Sequence, residues 1–134
     1  MTTNTADAAG VTDTAGVTNT ADATDAAGVT EVTDADFGTE VLGSGPPVLV
    51  KFTAEWCGPC RQLGPVLGAL AREEAGRLRI VEIDVDRNPE TTVRYGVLAT
   101  PTLMVFRAGE PVRSLVGARP KRRLLEELED VLGP

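Results

Sequence analysis

The feature that most constrains this chain is an apolar run that leads directly into a pair of closely spaced cysteines. Val48-Leu49-Val50 and Phe52 form a nearly continuous apolar run, which is typical of a strand buried on both faces of a sheet. Cys57-Gly58-Pro59-Cys60 follows and holds both cysteines of the chain. Pro59 suits the first turn of a helix, because the N–H that proline lacks has no helical partner there. The sequence therefore predicts a strand, a turn and a helix, with Cys57 at the turn.

The two cysteines are candidates for redox chemistry. Cys57 is expected just outside the helix N-terminus, where the helix dipole and the free N–H groups favour a thiolate. Cys60 is separated from Cys57 by two residues, so the two thiols can close a small disulfide ring and open it again. A reactive thiolate beside a second, resolving thiol is what thiol–disulfide exchange requires. The segment from Trp56 to Cys60 is therefore interpreted as a redox site.

Ordered structure is predicted to begin near residue 29. Val29-Thr30-Glu31-Val32-Thr33 is short and rich in β-branched residues, which favours an edge strand. Thr33 or Asp34 is expected to cap a short helix, with apolar residues such as Phe37 and Val41 on one face.

The rest of the chain alternates between strand and helix patterns. A helix from Pro59 carries leucines at helical spacing, a strand follows around Ile80 and Ile83, and a short helix ends at Gly96. Two more strands, joined by a hairpin turn at residues 107–110, precede a last amphipathic helix. The order β-α-β-α-β-α-β-β-α predicts an α/β fold with a mixed sheet flanked by helices. The cysteines then fall at the C-terminal end of a strand, where open α/β sheets place their sites.

The N-terminal segment differs from the rest in composition. Residues 1–28 contain almost only Thr, Ala, Asp, Gly, Val and Asn, and the tetrad Ala-Gly-Val-Thr occurs at 9–12, 15–18 and 27–30. Such a segment has too little apolar surface to offset the entropy of ordering it. We predict a disordered acidic tail over residues 1–28 and one domain over residues 29–134. The tail is either a solubilising or interaction segment or an inert extension.

Charge and hydropathy exclude several function classes. Residues 1–50 contain eight acidic side chains and no Lys or Arg, whereas residues 51–134 contain 13 bases and 12 acids. The folded part is therefore nearly neutral and lacks the basic patch that nucleic acid binding needs. No apolar run reaches the ~20 residues that a membrane span requires. The N-terminus resembles neither a secretory signal nor a transit peptide, so we expect a cytoplasmic protein.

Taken together, these residues resemble the thioredoxin family over about four-fifths of the chain. The resemblance begins near Val29 and extends to the C-terminus. It rests on an ordered series of matches, which are Phe37, the segment from Ala54 to Arg61, Pro65, Asp86, Asn88-Pro89, Tyr95-Gly96-Val97, Thr100-Pro101-Thr102-Leu103, Gly109 and Val116-Gly117. The family implies a three-layer sandwich in which helices flank a central mixed five-stranded sheet.

The resemblance also implies roles for particular residues. Cys57 would be the exposed nucleophile that attacks a target disulfide, and Cys60 the more buried thiol that resolves the mixed disulfide. Pro101 would be a cis-proline facing the cysteines, and the backbone of Thr100 would pair with an extended target peptide. An apolar rim would receive partners, formed by Trp56, Val97, Ala99, Val116, Gly117 and Ala118.

Three positions depart from the family pattern. Thr53 stands where the family usually has a second tryptophan. Lys51 stands where the family has a buried Asp beneath the second cysteine, and Glu82 stands where the family has the Lys that pairs with it. Two interpretations remain open: a swapped ion pair that fills the same space, or a Glu82 carboxylate that handles the proton of Cys60. A neutral Lys51 acting as the base is a third, which the nearby Glu82 disfavours.

The expected function is that of a protein-disulfide reductase, recharged by a separate thioredoxin reductase and NADPH. The dithiol carries the electrons, so no cofactor or metal of its own is expected, and the protein is expected to be a monomer. An oxidase or isomerase uses the same chemistry but fits Gly58-Pro59 less well. Two alternatives come from other classes: a non-catalytic binding or chaperone module, and a dimer that binds metal through four shared thiolates.

Overall fold

A computed structural model describes residues 28–132 of the chain. In this part the strands are β1 (Val29–Glu31), β2 (Val48–Thr53), β3 (Arg79–Asp84), β4 (Thr102–Arg107) and β5 (Glu110–Val116). The helices are α1 (Gly38–Leu42), α2 (Gly58–Glu73), α3 (Pro89–Arg94) and α4 (Lys121–Leu132). The sequence-based element order is confirmed.

The five strands form one mixed sheet in the order β1-β3-β2-β4-β5. β1 and β2 both run parallel to β3, whereas β4 is antiparallel to β2 and to β5. β2 is the central strand, and all of its residues except Thr53 are buried. The apolar run before the cysteines is therefore a strand covered on both faces, as the sequence indicates.

Each face of the sheet has its own hydrophobic core, which makes the molecule a three-layer sandwich. On one face, Leu49 and Leu103 pack with leucines of α2 and α4, among them Leu63 and Leu128. The other face contains a second cluster, formed by Val32, Phe37, Val41, Val48, Val50, Phe52, Val81, Ile83, Met104 and Phe106. Because side chains alternate along a strand, odd positions of β2 face α2 and even positions face the second cluster. The expected three-layer fold is confirmed.

The expected cap of the first helix is wrong. Helix α1 is a short π-helical segment that begins after Phe37 without a side-chain cap. Thr33 instead takes part in a turn, where its N–H donates to Asp36 Oδ1 at 2.7 Å. Neither Thr33 nor Asp34 is adjacent to the helix start, so local spacing misplaced the cap.

Asp34 caps a different helix. Its carboxylate accepts hydrogen bonds from the backbone N–H groups of Thr91 at 2.9 Å and Glu90 at 3.2 Å, in the first turn of α3. Asn88 completes the contact, because its Oδ1 accepts from the Asp34 N–H at 2.8 Å. The unpaired N–H groups at the start of α3 are thus satisfied by a residue from a distant part of the chain.

The hairpin between β4 and β5 turns at residues 107–110, as predicted. Arg107 and Glu110 pair with each other at the ends of the two strands. Only Ala108 and Gly109 remain, with φ values of 52° and 81°. Positive φ at both central residues is what the common two-residue hairpin turn requires.

Most of the predicted acidic tail lies outside the described residues. Of residues 1–28, only Gly28 is described, and it forms the turn that leads into β1. The structure thus gives no test of the boundary between the tail and the domain. Across residues 28–132, none of the helices combines the length and the apolar character needed to cross a membrane.

Candidate active site

The two cysteines form a disulfide at the start of α2. Their Cα atoms are 5.3 Å apart and their sulfur atoms 2.21 Å apart. Cys57 is the N-cap residue of α2 and has extended backbone angles, while Pro59 lies in the first turn. The N–H of Cys60 donates to the Cys57 sulfur at 3.1 Å. An N–H group aimed at this sulfur, together with the helix dipole, stabilises negative charge there.

Both cysteines are buried in the disulfide form, so the expected exposure of Cys57 is wrong for this form. Cys57 is 3% exposed and Cys60 is 1% exposed. Both cluster with Ala54, and Val85 packs against them. Cys57 is covered because its side chain turns back over the first turn of the helix, where the sulfur is bonded to Cys60 and accepts an N–H.

Trp56 lies beside the disulfide and is held there by Asp86. The indole is 68% exposed, an unusual state for a large aromatic side chain. Its Nε1 donates to Asp86 Oδ2 at 2.8 Å. Their neighbours in the sequence, Glu55 and Arg87, form an ion pair at 2.8 Å that links the same two loops. The loop after β3 therefore orients the tryptophan before any partner arrives.

The register of the sheet places the loop of Pro101 at the same sheet edge as the segment that leads to the cysteines. Phe52 pairs with Thr102 in the antiparallel contact between β2 and β4. Continued by two residues, this register places Thr100 opposite Ala54, whose carbonyl accepts the Cys57 N–H at 3.1 Å. The Thr100–Pro101 peptide bond is cis, as the resemblance implied.

The predicted rim residues of β5 join this edge. Val116 pairs with Thr102, and the N–H of Gly117 donates to the Pro101 carbonyl at 2.9 Å. Val116 is 61% exposed. Ala99 and Ala118 are also exposed, and Val97 is half-buried. Val116 and Gly117 thus adjoin the cis-proline loop, and Val116, Ala99 and Ala118 leave apolar surface open to solvent, whereas the placement of these residues around the disulfide remains a prediction.

Lys51 and Glu82 form an ion pair on the sheet face covered by α2. The two residues pair directly in the parallel contact between β2 and β3. Lys51 Nζ lies 3.7 Å from Glu82 Oε1, and the side chains are 7% and 30% exposed. Burial lowers the pKa of Lys51, and the attraction of Glu82 offsets only part of this effect. The swapped pair thus exists, whereas a role in proton transfer remains a prediction.

Two features beside the cysteine and cis-proline loops were not found by reasoning from the sequence. The Trp56–Asp86 bond was missed because Asp86 was named only as a match to the family, although its position after a predicted strand at the same sheet edge was a usable signal. Thr100 Oγ1 was missed as well: it is buried and has no hydrogen-bond partner within residues 28–132. Among these residues, no three His, Cys, Asp or Glu side chains are grouped as a metal site requires.

Known proteins match both the fold and the cysteine motif. The family profile described as Thioredoxin matches residues 28–130. A thioredoxin of Mycobacterium tuberculosis (strain ATCC 25618 / H37Rv) is 51% identical over 102 residues, which cover 76% of this chain and 88% of that protein. A thioredoxin of Streptomyces clavuligerus is 52% identical over 94 residues, which cover 70% of this chain and 87% of that protein.

A third relative is a longer protein. The bifunctional thioredoxin reductase/thioredoxin of Mycobacterium leprae (strain TN) is 47% identical over 102 residues, covering 76% of this chain and 22% of that protein. With a Cys57–Cys60 disulfide at a helix N-terminus and its match to the Thioredoxin family profile, this chain is a thiol–disulfide oxidoreductase. The fold, the site and the extent of these matches together show that the chain belongs to the thioredoxin family.

Proposed function

We propose that this protein is a protein-disulfide reductase in which Cys57 is the attacking thiol and Cys60 the resolving thiol. The observation that carries the assignment is the hydrogen bond from the Cys60 N–H to the Cys57 sulfur at the N-terminus of α2. After reduction, this N–H stabilises a thiolate on Cys57 and not on Cys60.

The reaction proceeds in two exchange steps. The Cys57 thiolate attacks one sulfur of a target disulfide, forming a mixed disulfide and releasing the other target sulfur as a thiolate. Cys60 then loses its proton and attacks the Cys57 sulfur, which releases the second target sulfur. Two electrons have moved to the target, and the Cys57–Cys60 disulfide has formed again. The short separation of the two cysteines makes the second step intramolecular and fast.

The target binds as an extended segment across the loop of Thr100 and Pro101. The backbone of Thr100 pairs with the target, while Trp56, Val116 and Gly117 contact its side chains. The exposure of Trp56 and Val116 supports this part of the proposal, because large apolar side chains left open to solvent mark contact surfaces.

A separate thioredoxin reductase that uses NADPH returns the electrons, and the protein works as a monomer without a cofactor of its own. The Mycobacterium leprae relative supports such a partnership, because its name joins a thioredoxin reductase and a thioredoxin in one chain. We place the protein in the cytoplasm, since a reductase works where thiols are kept reduced.

Trapping of the mixed disulfide tests the two thiol roles. Cys60→Ser keeps the attacking thiol and removes the resolving one. It should therefore accumulate a mixed disulfide with disulfide-bonded insulin, which dithiothreitol cleaves. Cys57→Ser should accumulate none. Trapping by Cys57→Ser instead of Cys60→Ser would reverse the assignment.

Insulin reduction tests the function and the electron donor in turn. Turnover with dithiothreitol shows that the dithiol reduces protein disulfides. Turnover with NADPH and a thioredoxin reductase shows that this partner can recharge it. Absence of turnover with dithiothreitol would contradict the reductase role. Turnover with dithiothreitol but none with NADPH and a thioredoxin reductase would contradict the proposed donor.

A further inference from the structure

Val116, the last residue of β5, and the following Gly117 and Ala118 are together named the rim loop below. Contacts with other segments hold the rim loop in its conformation. Gly117 has a φ of 100°, a backbone conformation that residues with a side chain rarely adopt. Its N–H is bonded to Pro101, which ties the rim loop to the cis-proline loop. A target peptide held between these loops binds tightly only when their spacing is set in advance.

Arg119 connects the rim loop to α4. One terminal nitrogen of its guanidinium, Nη2, donates to the Val116 carbonyl. The other, Nη1, donates to Glu127 Oε1 of α4 at 2.6 Å. The side chain is only 15% exposed, and its buried Nε has no partner within residues 28–132. The guanidinium is thus held through its two terminal nitrogens, one on the rim loop and one on the helix.

Glu127 is the fixed end of this connection. It also lies 3.5 Å from Arg123 on the same helix. The hydrogen bond from Arg119 is the largest influence on the pKa of Glu127 and lowers it; burial opposes this, but the charges of Arg119 and Arg123 add to the lowering, and the pKa stays below its usual value. The carboxylate is therefore charged at neutral pH and can accept the hydrogen bond from Arg119 under working conditions.

Arg113 attaches α4 to the sheet independently of Arg119. Its guanidinium donates to the Glu127 carbonyl and to Asp130 Oδ2, each at 2.6 Å. Arg113 pairs with Val105 in the sheet, several residues before the rim loop. Removal of Arg119 would therefore leave α4 docked and take away one of the contacts that hold the rim loop, while the bond from the Gly117 N–H to Pro101 remains.

From this arrangement we infer that Arg119 is a positioning residue for target binding, which sets the rim loop in the shape that receives a protein target. The inference rests on the proposed role of Val116 and Gly117 as target contacts. An arginine suits the task because its planar fork spans two acceptors at fixed directions, whereas the single ammonium of a lysine does not. Arg119 lies outside the disulfide, so the thiol chemistry itself does not depend on it.

The test compares Arg119→Met with the matched variant Arg113→Met, since both replace an arginine that links β5 or its following loop to α4. Each protein is reduced with dithiothreitol, freed of it, and mixed with oxidised insulin or with the small disulfide 5,5′-dithiobis(2-nitrobenzoate). Arg119→Met should slow the reaction with insulin about 5- to 10-fold, in line with the ~1–1.4 kcal/mol expected for a lost positioning contact. Its reaction with the small disulfide should change less than about twofold. Arg113→Met should change neither rate by more than about twofold.

Hydrogen exchange gives a readout that is independent of activity. The Gly117 N–H should exchange faster in Arg119→Met than in the wild type or in Arg113→Met. Arg119→Lys and Glu127→Gln, which are milder changes, should each show part of both effects, so the inference stays testable if Arg119→Met does not fold. Equal slowing with both disulfides, equal effects of the two arginine variants, or unchanged exchange at Gly117 would each overturn it. Failure of the wild type to reduce insulin, with altered exchange in Arg119→Met, would contradict the proposed function and leave the loop contact established.

Discussion

Lys51 and Glu82 are the residues at which this member of the family carries the opposite charges to those expected. Both lie on the sheet face covered by α2, whose first turn contains the cysteines. A buried cation on this face favours a thiolate over a neutral disulfide, and it therefore stabilises the reduced form. The couple should accordingly be less reducing than one with a buried carboxylate in the same place.

Exchange of the two charges tests this effect. Lys51→Asp combined with Glu82→Lys should make the potential more negative by about 30 mV, because ~1.4 kcal/mol of thiolate stabilisation corresponds to that shift for two electrons. The measurement is equilibration with a glutathione buffer. The matched control reverses the pair of Arg79 and Glu40, which lies at the opposite end of β3, and should leave the potential unchanged. A wild-type potential equal to or more negative than that of the exchanged variant would contradict the prediction.

The proton of Cys60 provides a second test at the same pair. If the Glu82 carboxylate accepts this proton, Glu82→Gln should lose one limb of the pH–rate profile of disulfide reduction. If the pair only fills space, the profile of Glu82→Gln keeps both limbs, and only its free energy of unfolding falls. The two interpretations of the pair are thus separated by the shape of the profile.

Two threonines beside the cis-proline should respond oppositely to the same substitution. Thr100 Oγ1 is buried without a partner in the described residues, whereas Thr102 Oγ1 donates to the Ala99 carbonyl at 2.6 Å. Thr100→Val removes an unpaired hydroxyl and should raise the free energy of unfolding by about 1 kcal/mol. Thr102→Val should lower it by a similar amount. Urea unfolding of the oxidised proteins measures both, and equal signs would refute the prediction.

Among the elements, α3 depends most clearly on another part of the chain. Its six residues are too few to form a helix alone, and its first turn is capped by Asp34 from the segment after β1. Burial would raise the pKa of Asp34, but the hydrogen bonds from Thr91 and Glu90 outweigh it and hold this pKa below its usual range. The cap is therefore a charged one.

Removal of this cap should destabilise the protein in a pH-dependent way. Asp34→Ala should cost about 1 kcal/mol at neutral pH. Because the folded state lowers the pKa of Asp34, its contribution is complete above the unfolded value of 3.8 and disappears as the pH falls through the folded value. Urea unfolding between pH 2 and pH 6 should therefore show the two proteins converging at low pH. A constant difference across this range would rule out the carboxylate as the cause.

For the molecule as a whole, the boundary between tail and domain can be placed by truncation. The third Ala-Gly-Val-Thr copy is followed two residues later by Val32, which is fully buried, whereas polar residues follow the two earlier copies. Gly28 is also suited to its place, since a Cβ there would lie 3.2 Å from Ala71 Cβ. These residues explain why the third copy begins the first strand.

Deletion of residues 2–26 should leave the unfolding free energy and the insulin reductase rate unchanged, since the composition of this segment predicts that it contributes nothing to the core. Deletion of residues 2–31 removes β1 and should cost about 2–3 kcal/mol, from the lost hydrogen bonds to β3 at ~1 kcal/mol each. Thermal and urea unfolding compare the two. A large loss from the shorter deletion would place the boundary further upstream.

What could be predicted in advance was local in the sequence. The buried strand, the Cys-Gly-Pro-Cys turn and the element order follow from neighbouring residues, through apolar periodicity and the backbone preferences of proline and glycine. The cysteine chemistry was accessible for the same reason, because both thiols and the helix start lie within one short segment. The family resemblance then supplied the partners of this segment.

Contacts between distant segments were decided by the tertiary structure alone. Asp34 caps α3 instead of its own neighbour, Asp86 holds Trp56, and Arg119 joins the rim loop to α4. Each partner is chosen by which side chains the packed sheet and helices bring within hydrogen-bond distance, and many polar residues of the chain offer the same chemistry. The sequence thus specifies the reaction through the Cys57–Cys60 segment, while the packing specifies which polar residues support it.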